Sequence, residues 1–91
     1  MKNTNETDLL YNSEDLTGFS VAVFENLPET ISLPKAEELL NRKVKTFYDW
    51  RARPTLRRRF PVPNNLFLKI NGRLSMRTRI LRQWIALQNL A

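Results

Sequence analysis

The chain has 91 residues with no Cys and no His, and its 15 Lys and Arg outweigh 9 Asp and Glu to leave a formal net charge of +6. That length allows one small domain with a modest core. Without Cys or His there is no disulfide frame, no thiolate or imidazole zinc site, no thiol nucleophile and no imidazole base, so a reducing cytoplasm suits the chain and catalysis is not expected.

The charge is unevenly placed. Residues 1–30 carry one cation, Lys2, and six acids, a net of −5, whereas residues 31–91 set fourteen cations against Glu37, Glu38 and Asp49, a net of +11. A body that cationic repels itself unless a polyanion is near, and nucleic acid is the commonest such partner. A basic helix on a membrane surface fits less well, because the cations are spread over helix, loop and hairpin. No apolar run approaches membrane-spanning length, and the first twenty residues lack the basic-then-apolar order of a signal peptide.

In chain order, residues 1–30 are expected to form an acidic, largely flexible leader, polar and without period over its first fifteen positions. Residues 19–24, FSVAVF, suit either a short strand or a helical turn, and periodicity does not decide between them. Pro28 and Pro34 bracket ETISL, so the chain should enter the body, residues 31–91, in extended form.

The first helix should begin at Ser32 to Pro34, where Ser can cap free amides and Pro is tolerated in the first turn. Ala36, Leu39 and Leu40 then share its inner face. Asn41 follows, a residue suited to the left-handed conformation that ends a helix. The second helix, about 44–53, has Phe47 as its surest buried residue with Val44 and Trp50 three positions either side. Lys43, Lys45, Thr46, Asp49 and Arg53 are left for the exposed face. In a helix-turn-helix that face enters the major groove, where Lys and Arg pair with guanine acceptors and Asp can accept from cytosine N4. Tyr48 is placed to reach a phosphate, and Trp50 reads as a core aromatic. A solvated amphipathic helix is the plainer alternative.

Residues 54–63, PTLRRRFPVP, exclude regular structure, since three prolines lack amide hydrogens and push their predecessors to extended geometry. The triplet Arg57, Arg58 and Arg59 in this loop is placed for phosphates, or else is solvated surface. Residues 66–76 read as a hairpin around Asn71-Gly72. A three-residue loop ending at Gly72 pairs Lys69 with Arg73 and Leu68 with Leu74, gathering Leu66, Leu68, Leu74 and Met76 on one face, with Lys69 and Arg73 together on the other. A two-residue loop mixes polar and apolar groups on both faces. The last helix, about 78–90, repeats Ile80, Leu81, Trp84, Ile85 and Leu87 at helical spacing and should close over the hairpin and the first helix.

Helix, turn, helix, hairpin and closing helix make an α+β, mostly helical chain: a winged helix-turn-helix with a two-stranded wing. AEELLNRKVKTFYDW at 36–50, then Phe60-Pro61-Val62-Pro63, Asn71-Gly72-Arg73 and Trp84, resembles the excisionase and AlpA-like regulators of phages and integrated elements, themselves similar to the MerR-type DNA-binding head. Those proteins typically read AAELLGVSRSTVYRW, a basic loop, F-P-x-P, a Gly-centred hairpin and a last helix with a Trp. The match falls on Ala36, Glu38, Leu39, Leu40, Thr46, Tyr48 and Trp50. Asn41, Arg42 and Lys43 replace the family's Gly, Val and Ser in the turn, and Asp49 replaces an Arg that often points to bases.

The resemblance implies a bacterial, nucleoid-associated protein that binds double-stranded DNA with its second helix in the major groove and its wing, Lys69 and Arg73, in the minor groove. Copies would associate cooperatively and bend attachment-site DNA so that an integrase excises the element. The implied alternatives are a transcriptional regulator of the element, or an interaction module docking on an integrase or polymerase; RNA binding through the Arg loop is a further reading. No cofactor, metal, membrane or small-molecule substrate is expected.

Overall fold

The computed structural model describes residues 16, 21–56 and 58–90, and within them the chain forms three α-helices and a three-stranded antiparallel sheet, a small compact α+β domain. A 3₁₀ turn at Val21–Phe24 precedes β1 (Thr30–Ser32), α1 (Leu33–Leu40), α2 (Val44–Ala52), β2 (Phe67–Ile70), β3 (Arg73–Arg77) and α3 (Thr78–Leu90).

Local signals set the ends of α1. Ser32 is extended, and its Oγ accepts the Lys35 N–H at 3.2 Å, one of the amides that lack an intrahelical partner. Asn41 takes the left-handed conformation at φ 55° and ends the helix. Arg42 then reaches back so that Nη1 donates to the Leu40 carbonyl at 3.3 Å, satisfying an acceptor at the helix end. Leu33, Ala36 and Leu40 are buried, while Leu39 is only half-buried.

Helix α2 starts without a side-chain cap, at Lys43, and turns Phe47 and Trp50 fully inward. Phe47 and Trp50 lie with ring centroids 5.1 Å apart, and Trp50 meets Trp84 of α3 edge to face at 5.0 Å and 87°. Edge-to-face pairs place a positive ring edge on a negative face, a contribution beyond buried area. Trp84 also donates its indole N–H to the Phe60 carbonyl at 3.3 Å, which ties the proline loop to the last helix. That loop is irregular, as its prolines require, and Val62 drops from it into the core.

The hairpin departs from the expected register. Ile70 pairs with Arg73, Leu68 with Ser75 and Phe67 with Met76, so the loop has two residues. Asn71 and Gly72 both have positive φ, 52° and 78°, as a type I′ turn requires, and such a turn follows the right-handed twist of its strands. The wing is also not two-stranded. β1 pairs with the far side of β3 and sets Ile31 opposite Met76, giving the order β1-β3-β2. The face toward the core therefore carries Ile31, Met76, Phe67 and Leu74, and Leu68 lies on the other face with Ser75 and Arg73. Lys69 and Arg73 point to opposite faces, not the same one. A third strand supplied apolar partners that a hairpin considered alone does not have.

The packed body begins before residue 31. Leu16 and Phe24 belong to the same buried cluster as Leu40, Phe47 and Ile85. The Leu16 N–H donates to Gln88 Oε1 at 2.7 Å, and Asn89 Nδ2 donates to the Leu16 carbonyl at 3.1 Å. Thr78, where β3 passes into α3, donates its N–H to the Glu29 carbonyl at 2.8 Å and its Oγ1–H to the Pro28 carbonyl at 2.6 Å. Residues 21–30 are thus part of the fold; of the expected leader, residues 1–15 and 17–20 lie outside the described residues. Along α3 the buried stripe is Leu81, Trp84, Ile85 and Gln88, with Leu87 turned out at 53% exposure. Its main neighbours are the 3₁₀ turn and β3.

Candidate nucleic-acid interface

With Phe47 and Trp50 holding α2 to the core, Lys45, Tyr48, Asp49 and Ala52 fall at i, i+3, i+4 and i+7 on its outer side. Lys43, Lys45, Tyr48, Arg51 and Arg53 are exposed, and Thr46 and Asp49 are half-buried. Five expected residues, Lys43, Lys45, Thr46, Tyr48 and Arg53, are therefore brought onto one helix with access to solvent.

Asp49 and Arg58 are placed differently from the expectation that both reach DNA. Arg58 Nη2 donates to Asp49 Oδ2 at 3.4 Å, and Arg58 Nε donates to the Arg53 carbonyl at 3.3 Å. The Arg58 side chain is 2% exposed, so it is a strut between the proline loop and the end of α2 rather than a phosphate contact. A guanidinium there also complements the negative end of the helix dipole. The Asp49 carboxylate is occupied by that strut, with Arg53 Nε a further 4.0 Å contact, and it is not an unengaged acceptor for a base. The pairing spans nine residues across three prolines, so no helical spacing announces it.

The other loop arginines divide. Arg59 is exposed and lies over the Phe60 ring at 5.4 Å, a cation–π contact that leaves it at the surface. Arg57 lies outside the described residues. At the hairpin tip Lys69, Ile70, Asn71, Gly72 and Arg73 are all exposed, so both expected tip cations are accessible, on opposite faces of the ribbon. Arg77 is exposed, but its Nη1 donates to the Asn65 carbonyl at 2.8 Å, which holds the loop against β3.

One residue absent from the expected set is Arg51. It is exposed in the last turn of α2 and borders a cleft of about 240 Å³ between that helix, the proline loop and β2. Its position next to Trp50 on the helical wheel made it read as a flank of the core. The available signal was a cation in the turn just ahead of Pro54.

Among the described residues no three metal-ligating side chains come together, and no helix is long and apolar enough to cross a membrane. No protein-family model, curated protein or solved structure matches this chain.

Proposed function

We propose that the chain is a sequence-specific DNA-binding protein of winged helix-turn-helix type, acting as an excisionase of a phage or integrated element. It would bind and bend attachment-site DNA and assemble with an integrase. The observation that carries this reading is α2: Phe47 and Trp50 are fully buried behind it while Lys43, Lys45, Tyr48, Arg51 and Arg53 stand exposed, on a chain whose residues 31–91 carry a net +11. A rigid helix backed by aromatic packing and faced with cations suits insertion into a major groove. The exposed hairpin tip with Lys69 and Arg73 supplies a second point of contact. With neither Cys nor His in the chain, the task is architectural: bending paid for by contacts. A regulator of the element's promoters would use the same surface.

Gel-shift titrations of duplex DNA from the element's attachment and promoter regions test this. With about six phosphates neutralised, log affinity should fall with log salt at a slope of about −5. No binding, or binding without salt dependence, would refute the proposal.

A second reading, docking on an integrase or polymerase, is favoured by Leu87 and Leu90, which are 53% and 84% exposed on α3. Changing both to Gln should abolish that contact and leave DNA affinity unaltered; pull-down and gel shift together separate the two.

A further inference from the structure

The cleft beside α2 contains an unanswered donor. Trp50 is fully buried, and its indole N–H meets no acceptor among the described residues. Buried donors are nearly always satisfied, so one left open calls for a ligand or a solvent molecule. The contrast with Trp84 sharpens this, since that indole donates to the Phe60 carbonyl at 3.3 Å.

Trp50 lines the cleft of about 240 Å³ together with Arg51, Asn64, Pro54, Pro63 and Phe67. Arg51 and Asn64 are exposed at its edge, the rest of the wall is apolar, and no acid lines it. The one carboxylate of α2, Asp49, is engaged by Arg58. The polar groups offered are thus an indole N–H, a guanidinium and a side-chain amide, a set rich in donors and positive in sign. Apolar walls lower the local dielectric and strengthen a charge-assisted bond formed there.

We propose that this cleft takes a phosphate oxygen, with the Trp50 indole N–H and the Arg51 guanidinium as its principal donors and Asn64 as a third. The inference rests on the DNA-binding reading only for the source of that oxygen, a backbone phosphodiester lying beside α2. Trp50 then has two tasks, core packing and anchoring. Arg51 is a phosphate contact, which fixes the helix on the duplex without reading sequence.

The test uses the two indole ¹H–¹⁵N signals of the full-length, labelled protein, titrated separately with inorganic phosphate and with duplex DNA. The Trp50 signal should move downfield as its N–H gains an acceptor, while the Trp84 signal stays in place as an internal control. A response to both probes supports a phosphate site open to free anion. A response to duplex alone supports the site and assigns the oxygen to the DNA backbone. Arg51→Ala should weaken the response roughly tenfold, the scale of one charge-assisted hydrogen bond, without disturbing the fold because Arg51 is exposed. If duplex shifts the α2 amides but leaves Trp50 unmoved, the cleft proposal is overturned and the DNA-binding reading stands. If phosphate moves Trp50 but no duplex binds, the site stands and the DNA-binding reading falls. Equal movement of both indoles would show a general rearrangement and overturn the assignment.

Discussion

Removing either end of the Asp49–Arg58 pair should have unequal effects, because the two ends differ in solvent access. The Arg58 side chain is 2% exposed and that of Asp49 44%, with 3.4 Å between Nη2 and Oδ2. Asp49→Ala leaves a guanidinium buried with its charge uncompensated; hydrogen bonds to charged groups contribute about 1.5–3 kcal/mol, so the loss should be about 2 kcal/mol. Arg58→Met keeps most of the aliphatic stem in place and leaves a carboxylate that water can reach. Its cost should be nearer 1 kcal/mol, chiefly from the hydrogen bond to the Arg53 carbonyl at 3.3 Å. Urea unfolding followed by the fluorescence of the buried Trp50 and Trp84 measures both, with the double mutant closing the cycle. On melting, about 2 kcal/mol corresponds to a fall of roughly 8–16 °C for a domain of this size. Equal losses, or a larger loss from Arg58→Met, would refute the strut. So would Asp49→Ala that altered base preference in gel shifts while leaving stability within about 0.5 kcal/mol of the parent, the scatter of ordinary surface changes.

Lys45→Ala and Thr46→Ala should weaken specific DNA binding more than non-specific binding, whereas Arg73→Ala should weaken both alike and flatten the salt slope by about 1; equal effects from all three in gel shifts would show that the groove assignment is wrong. Gly72→Ala should cost about 1 kcal/mol in urea unfolding, from the positive φ of 78° alone, because an added Cβ meets nothing within 4 Å; a neutral result would argue against the two-residue turn. Deleting residues 1–15 should leave stability unchanged and raise non-specific DNA affinity by removing acids, of which Glu6, Asp8, Glu14 and Asp15 fall in that stretch. Leu16→Ala should instead cost about 2–3 kcal/mol, as expected for a fully buried leucine, and a cost under about 0.5 kcal/mol in the same unfolding assay would place Leu16 outside the core.

Features carried by neighbouring residues were legible in the chain itself. The Ser32 cap and Asn41 terminator bound α1, and the alternation of Phe47 and Trp50 with Lys43, Lys45 and Arg53 orients α2. The start of α3 at Thr78 and its buried Leu81, Trp84 and Ile85 follow from a 3.6-residue stripe. Each depends on sterics or hydrogen bonds within a few positions, which sequence spacing encodes directly.

Three decisions belonged to the tertiary structure. The wing's register turned on β1, which supplies Ile31 opposite Met76 from some forty-five positions away and so removes the need to align Leu68 with Leu74. The inclusion of Leu16 turned on Gln88, seventy-two positions along the chain. The roles of Asp49 and Arg58 turned on how the proline loop folds back over the end of α2, which converts two expected DNA contacts into a support for the helix and leaves Arg51 at the cleft. In each case the deciding partner is distant in sequence, and whether a polar group is exposed or engaged depends on what packs beside it. Residue type and spacing determine which elements form; the burial of one element by another determines which of their charges remain available to bind.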